Sequence, residues 1–76
     1  MHAVITLKES NDIVLVWLAE VAELTDGLLV CQYEGEETKF EDITSEEHTL
    51  TMVEGELPDG FQPDLYQLVD GKIVIK

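Results

Sequence analysis

The sequence contains no arginine and only four lysines, against seventeen aspartates and glutamates, so its formal net charge at neutral pH is −13. A molecule of this sign repels phosphate and anionic lipid headgroups and attracts basic partners. We therefore expect no direct binding to nucleic acid. The acids act either to keep a small domain in solution or as a functional anionic surface, and net charge alone does not separate these interpretations.

Cysteine is also scarce. The single cysteine, Cys31, excludes an internal disulfide and a cysteine-rich zinc site. It follows the apolar residues 28–30, which favours a small buried side chain over a nucleophile. The longest apolar run, 13–19, is far too short to span a membrane. We expect a soluble protein without a membrane partner.

The chain of 76 residues predicts one domain, 1–76, with a small core. The clearest secondary-structure signal lies at the C-terminal end of the chain. Asp70-Gly71 separates the apolar runs 65–69 and 72–75, and an Asp-Gly pair in that position predicts a β-hairpin, because a type I′ turn requires positive φ at both central residues. We expect a core that includes four residues: Trp17, Leu29, Tyr66 and Val74.

Residues 3–7 predict a first strand, whereas 12–24 are ambiguous. A helix capped by Asp12 would place Ile13, Trp17, Val21 and Leu24 at three- and four-residue spacing. A long strand ribbon turned by 25–27 is favoured, because β-branched residues and tryptophan crowd 13–18 and Asp26-Gly27 resembles a second hairpin turn.

Further strands are predicted at 28–33, 38–43 and 48–54, with a turn near 34–36, a loop or single helical turn at 44–47, and an irregular connection at 55–64. Phe40 and Ile43 are the expected core contacts of the middle strands. The fold class is therefore mainly β: a small antiparallel meander or an SH3-like barrel that ends in a C-terminal hairpin. The alternative is α+β with a helix at 12–24.

Residues typical of catalysis form no recognisable motif. The two histidines, His2 and His48, have no metal-ligand spacing, and the sequence lacks phosphate-binding glycine loops and nucleophile-turn motifs. Carboxylates are too numerous for any one pair to indicate acid/base chemistry. We expect a non-enzymatic protein with no cofactor and no metal.

The densest acidic segment is 34–47. If 38–43 is a strand, neither of its faces is purely anionic, so the acids cluster at strand ends and loops. We predict an acidic interaction surface with seven members: Glu34, Glu36, Glu37, Glu41, Asp42, Glu46 and Glu47.

Segment 56–74 carries the pattern Pro58-x-x-Phe61-x-Pro63-x-x-Tyr66-x-x-x-Asp70-Gly71. It resembles a segment of small tailed-bacteriophage proteins, including tail-fibre assembly proteins. The resemblance covers about a quarter of the chain and implies a viral origin more than an activity.

A second pattern combines Trp17-Leu18-Ala19-Glu20-Val21 with 29–35 and 40–43. It is similar to Tudor- and chromo-barrel-like SH3 barrels, which implies a small β-barrel. In those families aromatic residues form a cage around a methylated cation. The matching positions here are Trp17, Tyr33 and Phe40, for which packing in the core is the competing interpretation.

These observations predict a protein that acts through protein–protein contact, in the host cytoplasm or associated with a virion. The leading hypothesis is a bacteriophage structural or assembly accessory that binds a virion protein. The alternative is an acidic nucleic-acid mimic that inhibits a basic host protein of defence (anti-CRISPR-like) or transcription. A methylated-cation reader is the third hypothesis.

Overall fold

The computed structural model describes residues 1–76 and contains eight strands in three antiparallel sheets. The strands are β1 (His2–Leu7), β2 (Ile13–Leu18), β3 (Val21–Leu24), β4 (Leu29–Tyr33), β5 (Glu36–Phe40), β6 (His48–Val53), β7 (Tyr66–Val69) and β8 (Lys72–Ile75). A single 3₁₀ turn, Pro63–Leu65, precedes β7. The predicted mainly-β fold class is confirmed.

The first sheet has the order β2-β1-β6. Its central strand, β1, is buried on both faces, with Ala3, Val4 and Ile5 all inaccessible to solvent. This explains its continuous apolar sequence, since a strand covered on both sides does not alternate with polar residues. The predicted first strand and the predicted strand at 48–54 are both confirmed.

Residues 12–24 form strand and not helix, as the β-branched composition favoured. The predicted single ribbon is wrong, however, because the strand is interrupted at Ala19 and Glu20. The Ala19 amide donates to the Met1 carbonyl at 3.1 Å, and the Glu20 amide donates to the Gln32 carbonyl at 2.8 Å. These two bonds lead to different sheets, so the chain leaves the first sheet and enters the second at this point.

The second sheet has the order β3-β4-β5. A two-residue turn joins β4 to β5, with positive φ at Glu34 and Gly35, as a type I′ hairpin requires. The predicted strand 38–43 is displaced, because β5 runs from Glu36 and ends at Phe40. Since Ile43 lies beyond the strand, strict alternation no longer applies, and both Phe40 and Ile43 reach the core as expected.

The core lies between these two sheets. Its buried members are Ala3, Ile5, Ala19, Leu29 and Cys31. Leu29 was correctly predicted, and Cys31 is a buried free thiol. The prediction was wrong for Trp17 and Val74, whose exposed fractions are 39% and 38%. Each lies on a strand that neighbouring elements cover only in part, so its side chain stays partly exposed to solvent.

The C-terminal hairpin is confirmed, with β7 paired to β8 and positive φ at Asp70 and Gly71. The hairpin and the turn before it pack against β2. Val4 and Thr6 point away from the main core, yet both are buried. We infer that this C-terminal unit covers the second face of the first sheet. Tyr66 is half-buried there, with its ring centroid 5.1 Å from that of Phe61.

The closed SH3-like barrel among the predicted architectures is not formed. Strands β5 and β6 belong to different sheets, and no hydrogen-bonded ladder joins them. The intervening loop, 41–47, instead docks on the β3–β4 turn, where the Ser45 hydroxyl donates to the Asp26 carboxylate at 2.9 Å. The architecture is an antiparallel meander folded over itself.

Candidate functional site

The seven predicted surface acids occupy three separate places. Three of them lie at the β4–β5 hairpin: Glu34, Glu36 and Glu37. Glu41 and Asp42 follow β5 and line a depression with Phe40. Glu46 and Glu47 precede β6 and lie beside Lys8 and Glu9. The acids close in sequence are therefore not gathered into one continuous field.

The β4–β5 hairpin carries its acids with little compensation from bases. Its one salt bridge joins Glu37 to Lys39, with 3.6 Å between oxygen and nitrogen, and both side chains are well exposed. An exposed pair of this kind contributes about 0–1 kcal/mol. Glu34 and Glu36 have no ion-pair partner within the chain, so this end of the molecule presents free carboxylates.

Two of the three predicted cage residues lie together. Trp17 and Tyr33 line one groove of about 240 Å³, whose other lining residues are Leu18, Cys31, Glu36 and Thr38. Phe40 does not line this groove. Its ring meets that of Trp17 in an edge-to-face arrangement, with 5.0 Å between centroids and 77° between planes, so Phe40 supports Trp17 from the side of the core.

A second depression meets the groove only at Tyr33, which lines both, and it lies on the other side of the second sheet, because Gln32 and Glu37 alternate with Cys31 and Thr38 along their strands. It has a volume of about 220 Å³ and includes Glu20, Val21, Glu34 and Glu37. Together the two depressions form a surface that wraps around the β4–β5 hairpin, which we call the acidic–aromatic face. Its members are Trp17, Leu18, Glu20, Val21, Tyr33, Glu34, Glu36 and Glu37.

Sequence reasoning missed Leu18, Glu20 and Val21 as members of a site. Leu18 is 44% exposed and Val21 is 58% exposed, although both belong to apolar stretches that read as core. They are exposed because β2 and β3 are sheet-edge strands on either side of the break at Ala19. Edge position is a property of strand order, and no local pattern in the sequence indicates it.

Of the titratable groups typical of catalysis, Cys31 lines the groove of this face and the two histidines line neither depression. The His48 ring nitrogen Nδ1 is 3.1 Å from the Thr44 carbonyl, a contact that closes the turn before β6. The Nδ1 of His2 is buried without a hydrogen-bond partner. Burial raises the pKa of the Cys31 thiol, so Cys31 is protonated and neutral at physiological pH. No three of the His, Cys, Asp and Glu side chains converge as a metal-binding group.

No protein-family model, curated protein or solved structure matches this chain. No helix in the structure has the length and apolar character needed to cross a membrane.

Proposed function

We propose that this chain is a non-enzymatic protein-binding module that docks a basic partner protein on its acidic–aromatic face. One observation carries the proposal: Trp17 and Leu18 at the end of β2 and Val21 at the start of β3 are exposed near the acids of the β4–β5 hairpin, which have little internal compensation. Aromatic residues are enriched at the centres of protein interfaces, where a polar rim surrounds them.

The kind of partner follows from charge and from resemblance. The net charge of −13 favours association with a basic surface. The bacteriophage-like segment 56–74 supports a virion protein as the partner, and hence a structural or assembly accessory role. None of the six residues named in its pattern lines the proposed docking face, which leaves the C-terminal unit to serve stability.

The competing hypothesis is an acidic mimic that occupies the nucleic-acid groove of a host defence or transcription protein. Such a mimic places carboxylates where phosphates would lie, so its affinity depends on many acids and falls steeply as salt rises. The distribution of the seven acids over three places gives this hypothesis less support than the docking face receives.

Two variants of equal charge change separate these functions. In the first, Glu34, Glu36 and Glu37 all become glutamine; in the second, Glu41→Gln, Asp42→Asn and Glu46→Gln are combined. Each immobilised variant is compared with the wild type for capture of a partner from phage-infected lysate and from purified virions, at low and high salt.

A docking face predicts that the first variant loses capture and that the second retains it. Trp17→Ala should also lose capture, because the apolar centre contributes most of the affinity. Equal loss in both charge variants, with nucleic acid competing for the partner, would favour the mimic. The proposed function is wrong if the wild type captures no protein, or if every variant captures the same proteins as the wild type.

A further inference from the structure

We propose that the groove lined by Trp17 and Tyr33 is the seat of one arginine side chain of the partner, with its guanidinium on the aromatic rings and paired with Glu36. This inference rests on the proposed function and names the group that the docking face recognises. It is argued from the shape, charge and hydrogen-bonding capacity of the groove.

The size of the groove fits a side chain better than a free small molecule. Its volume of about 240 Å³ is below the range of about 300–1,000 Å³ that is usual for small-molecule sites. Four of its six lining residues are apolar or aromatic, among them the buried Cys31, and the other two are Glu36 and Thr38. Because that thiol is neutral, the charge within the groove comes from Glu36 alone.

The hydrogen-bond acceptors of the groove have no partner within the chain. Glu36, Thr38 and Tyr33 take part in no side-chain hydrogen bond or ion pair within the chain. The groove is therefore lined by a carboxylate residue and two hydroxyl residues that have no donor within the chain. A cationic group with several N–H donors is the chemical complement of this set.

Arginine meets these requirements better than lysine. Its guanidinium is planar, stacks on aromatic rings and can pair with a carboxylate through two parallel hydrogen bonds, whereas the lysine ammonium is a compact and strongly hydrated charge. Stacking also needs a ring that stays in place. The edge-to-face contact with Phe40 fixes Trp17 from the core side, so little ordering is needed when the guanidinium binds.

The occupant comes from a different protein. The chain itself contains no arginine, and a second copy would bring another net charge of −13 to the same face. Like charges across an interface oppose association. A basic segment of a partner is attracted by the same field, and where it wraps around the β4–β5 hairpin it meets the additional carboxylates of Glu20, Glu34 and Glu37 in the second depression.

The test uses the full chain and small probes. Trp17 is the only tryptophan, so its indole N–H gives a single resonance in a ¹H–¹⁵N spectrum that reports on the groove. N-acetyl-arginine amide, N-acetyl-lysine amide and tetramethylammonium are titrated separately at low salt. We expect saturable shifts of this resonance with the arginine probe in the millimolar range, and weaker binding of the lysine probe.

Glu36→Gln should weaken binding of the arginine probe about two- to fivefold, the range for one exposed ion pair. Tyr33→Leu should weaken it further by removing one ring. The matched control is Glu54→Gln, which makes the same charge change at an exposed position after β6 and should leave the affinity unchanged. The amide spectra of all variants report whether each remains folded.

The inference is wrong if the indole resonance does not respond, if lysine binds as well as arginine, or if Glu36→Gln binds like Glu54→Gln. Tighter binding of tetramethylammonium would overturn it in favour of a compact quaternary cation. These outcomes are independent of partner capture: a failed arginine titration with capture that still depends on the hairpin acids overturns only the arginine seat. Arginine binding without any capture overturns only the proposed function.

Discussion

At the residue scale, Trp17 contributes both to packing and to the exposed face. One side of its ring meets Phe40, while 39% of the residue remains accessible. Trp17 lies on the outermost strand of the first sheet, so one edge of its strand has no hydrogen-bonded neighbour and the side chain is only partly covered. A ring held on one side and open on the other is suited to binding.

We therefore predict that Trp17→Ala lowers the free energy of unfolding by about 1–2 kcal/mol, less than the roughly 3–5 kcal/mol lost when a fully buried tryptophan is truncated. Leu29→Ala, at a position with 0% exposure, should cost about 2–5 kcal/mol. Urea unfolding followed by far-UV circular dichroism measures both. Equal or greater destabilisation by Trp17→Ala would contradict the partial exposure.

Asp12 and Lys76 form the other informative pair of residues. The Lys76 ammonium is 3.1 Å from the Asp12 carboxylate, and its hydrogen bond, together with one from Ser10, lowers the pKa of Asp12. A lowered folded-state pKa gives stability that is present above the ordinary carboxyl pKa of about 3.9 and is lost as pH falls through the folded value.

We predict that Asp12→Asn reduces the hydrogen-exchange protection of β8 at pH 7 and that this effect diminishes as the pH falls through the lowered pKa of Asp12. The effect should shrink as salt rises, because the pair is exposed. Asp64→Asn is the control, since Asp64 has no ion-pair partner. A loss of protection that stays the same as the pH is lowered would assign the effect to something other than this charge.

At the scale of the element, the hairpin turns set the register of the sheets. The β7–β8 turn has φ of 51° at Asp70 and 77° at Gly71, which pairs Val69 with Lys72 and Leu68 with Ile73. This register turns Leu68 and Ile73 to one face, and a slip of one residue would reverse it. The hairpin then could not cover the first sheet.

We predict that Gly71→Ala destabilises the protein by about 1–2 kcal/mol, because an L-residue pays this cost in the left-handed region. The surrounding space is open, so the effect comes from the backbone alone. Gly27→Ala is the matched control: Gly27 has open space and no positive φ. Thermal unfolding of both variants measures the difference, and equal melting temperatures would contradict the turn geometry.

At the scale of the whole molecule, charge opposes the compact fold. Only two salt bridges form, both exposed, so a net charge of −13 is little compensated within a radius of gyration of 11.8 Å. Self-repulsion of this kind destabilises the folded state. Under the proposed function, attraction to a basic partner would offset this loss of stability.

We predict that the melting temperature rises as sodium chloride increases from about 0.01 M to about 1 M, over which the Debye length falls from about 30 Å to about 3 Å. Salt also strengthens apolar burial, so Glu54→Lys serves to isolate the charge term. This variant should be more stable at low salt and respond less to added salt. A melting temperature that is independent of salt would show that self-repulsion is negligible.

Much of the fold was predictable from local chemistry. The Asp-Gly pair at 70–71 predicted the last hairpin because positive φ is a local requirement. β-Branched residues at 3–7 and 13–18 predicted strands because their stiff side chains favour extended backbone. The apolar neighbours of Cys31 and Leu29 predicted that both side chains are buried. These conclusions depend only on residues close in sequence.

The exposure of Trp17, Leu18 and Val21 was decided by tertiary structure. Each of these residues is apolar, and their burial depends on which strands become sheet edges and on where the chain breaks between β2 and β3. Pairing between distant segments sets both. The same pairing brings Glu36 into the groove beside Trp17. Glu41 and Glu46 lie only a few residues further along the chain, yet they line other depressions. Composition determined the sign of the charge, and strand order determined the surface that carries it beside exposed aromatic rings.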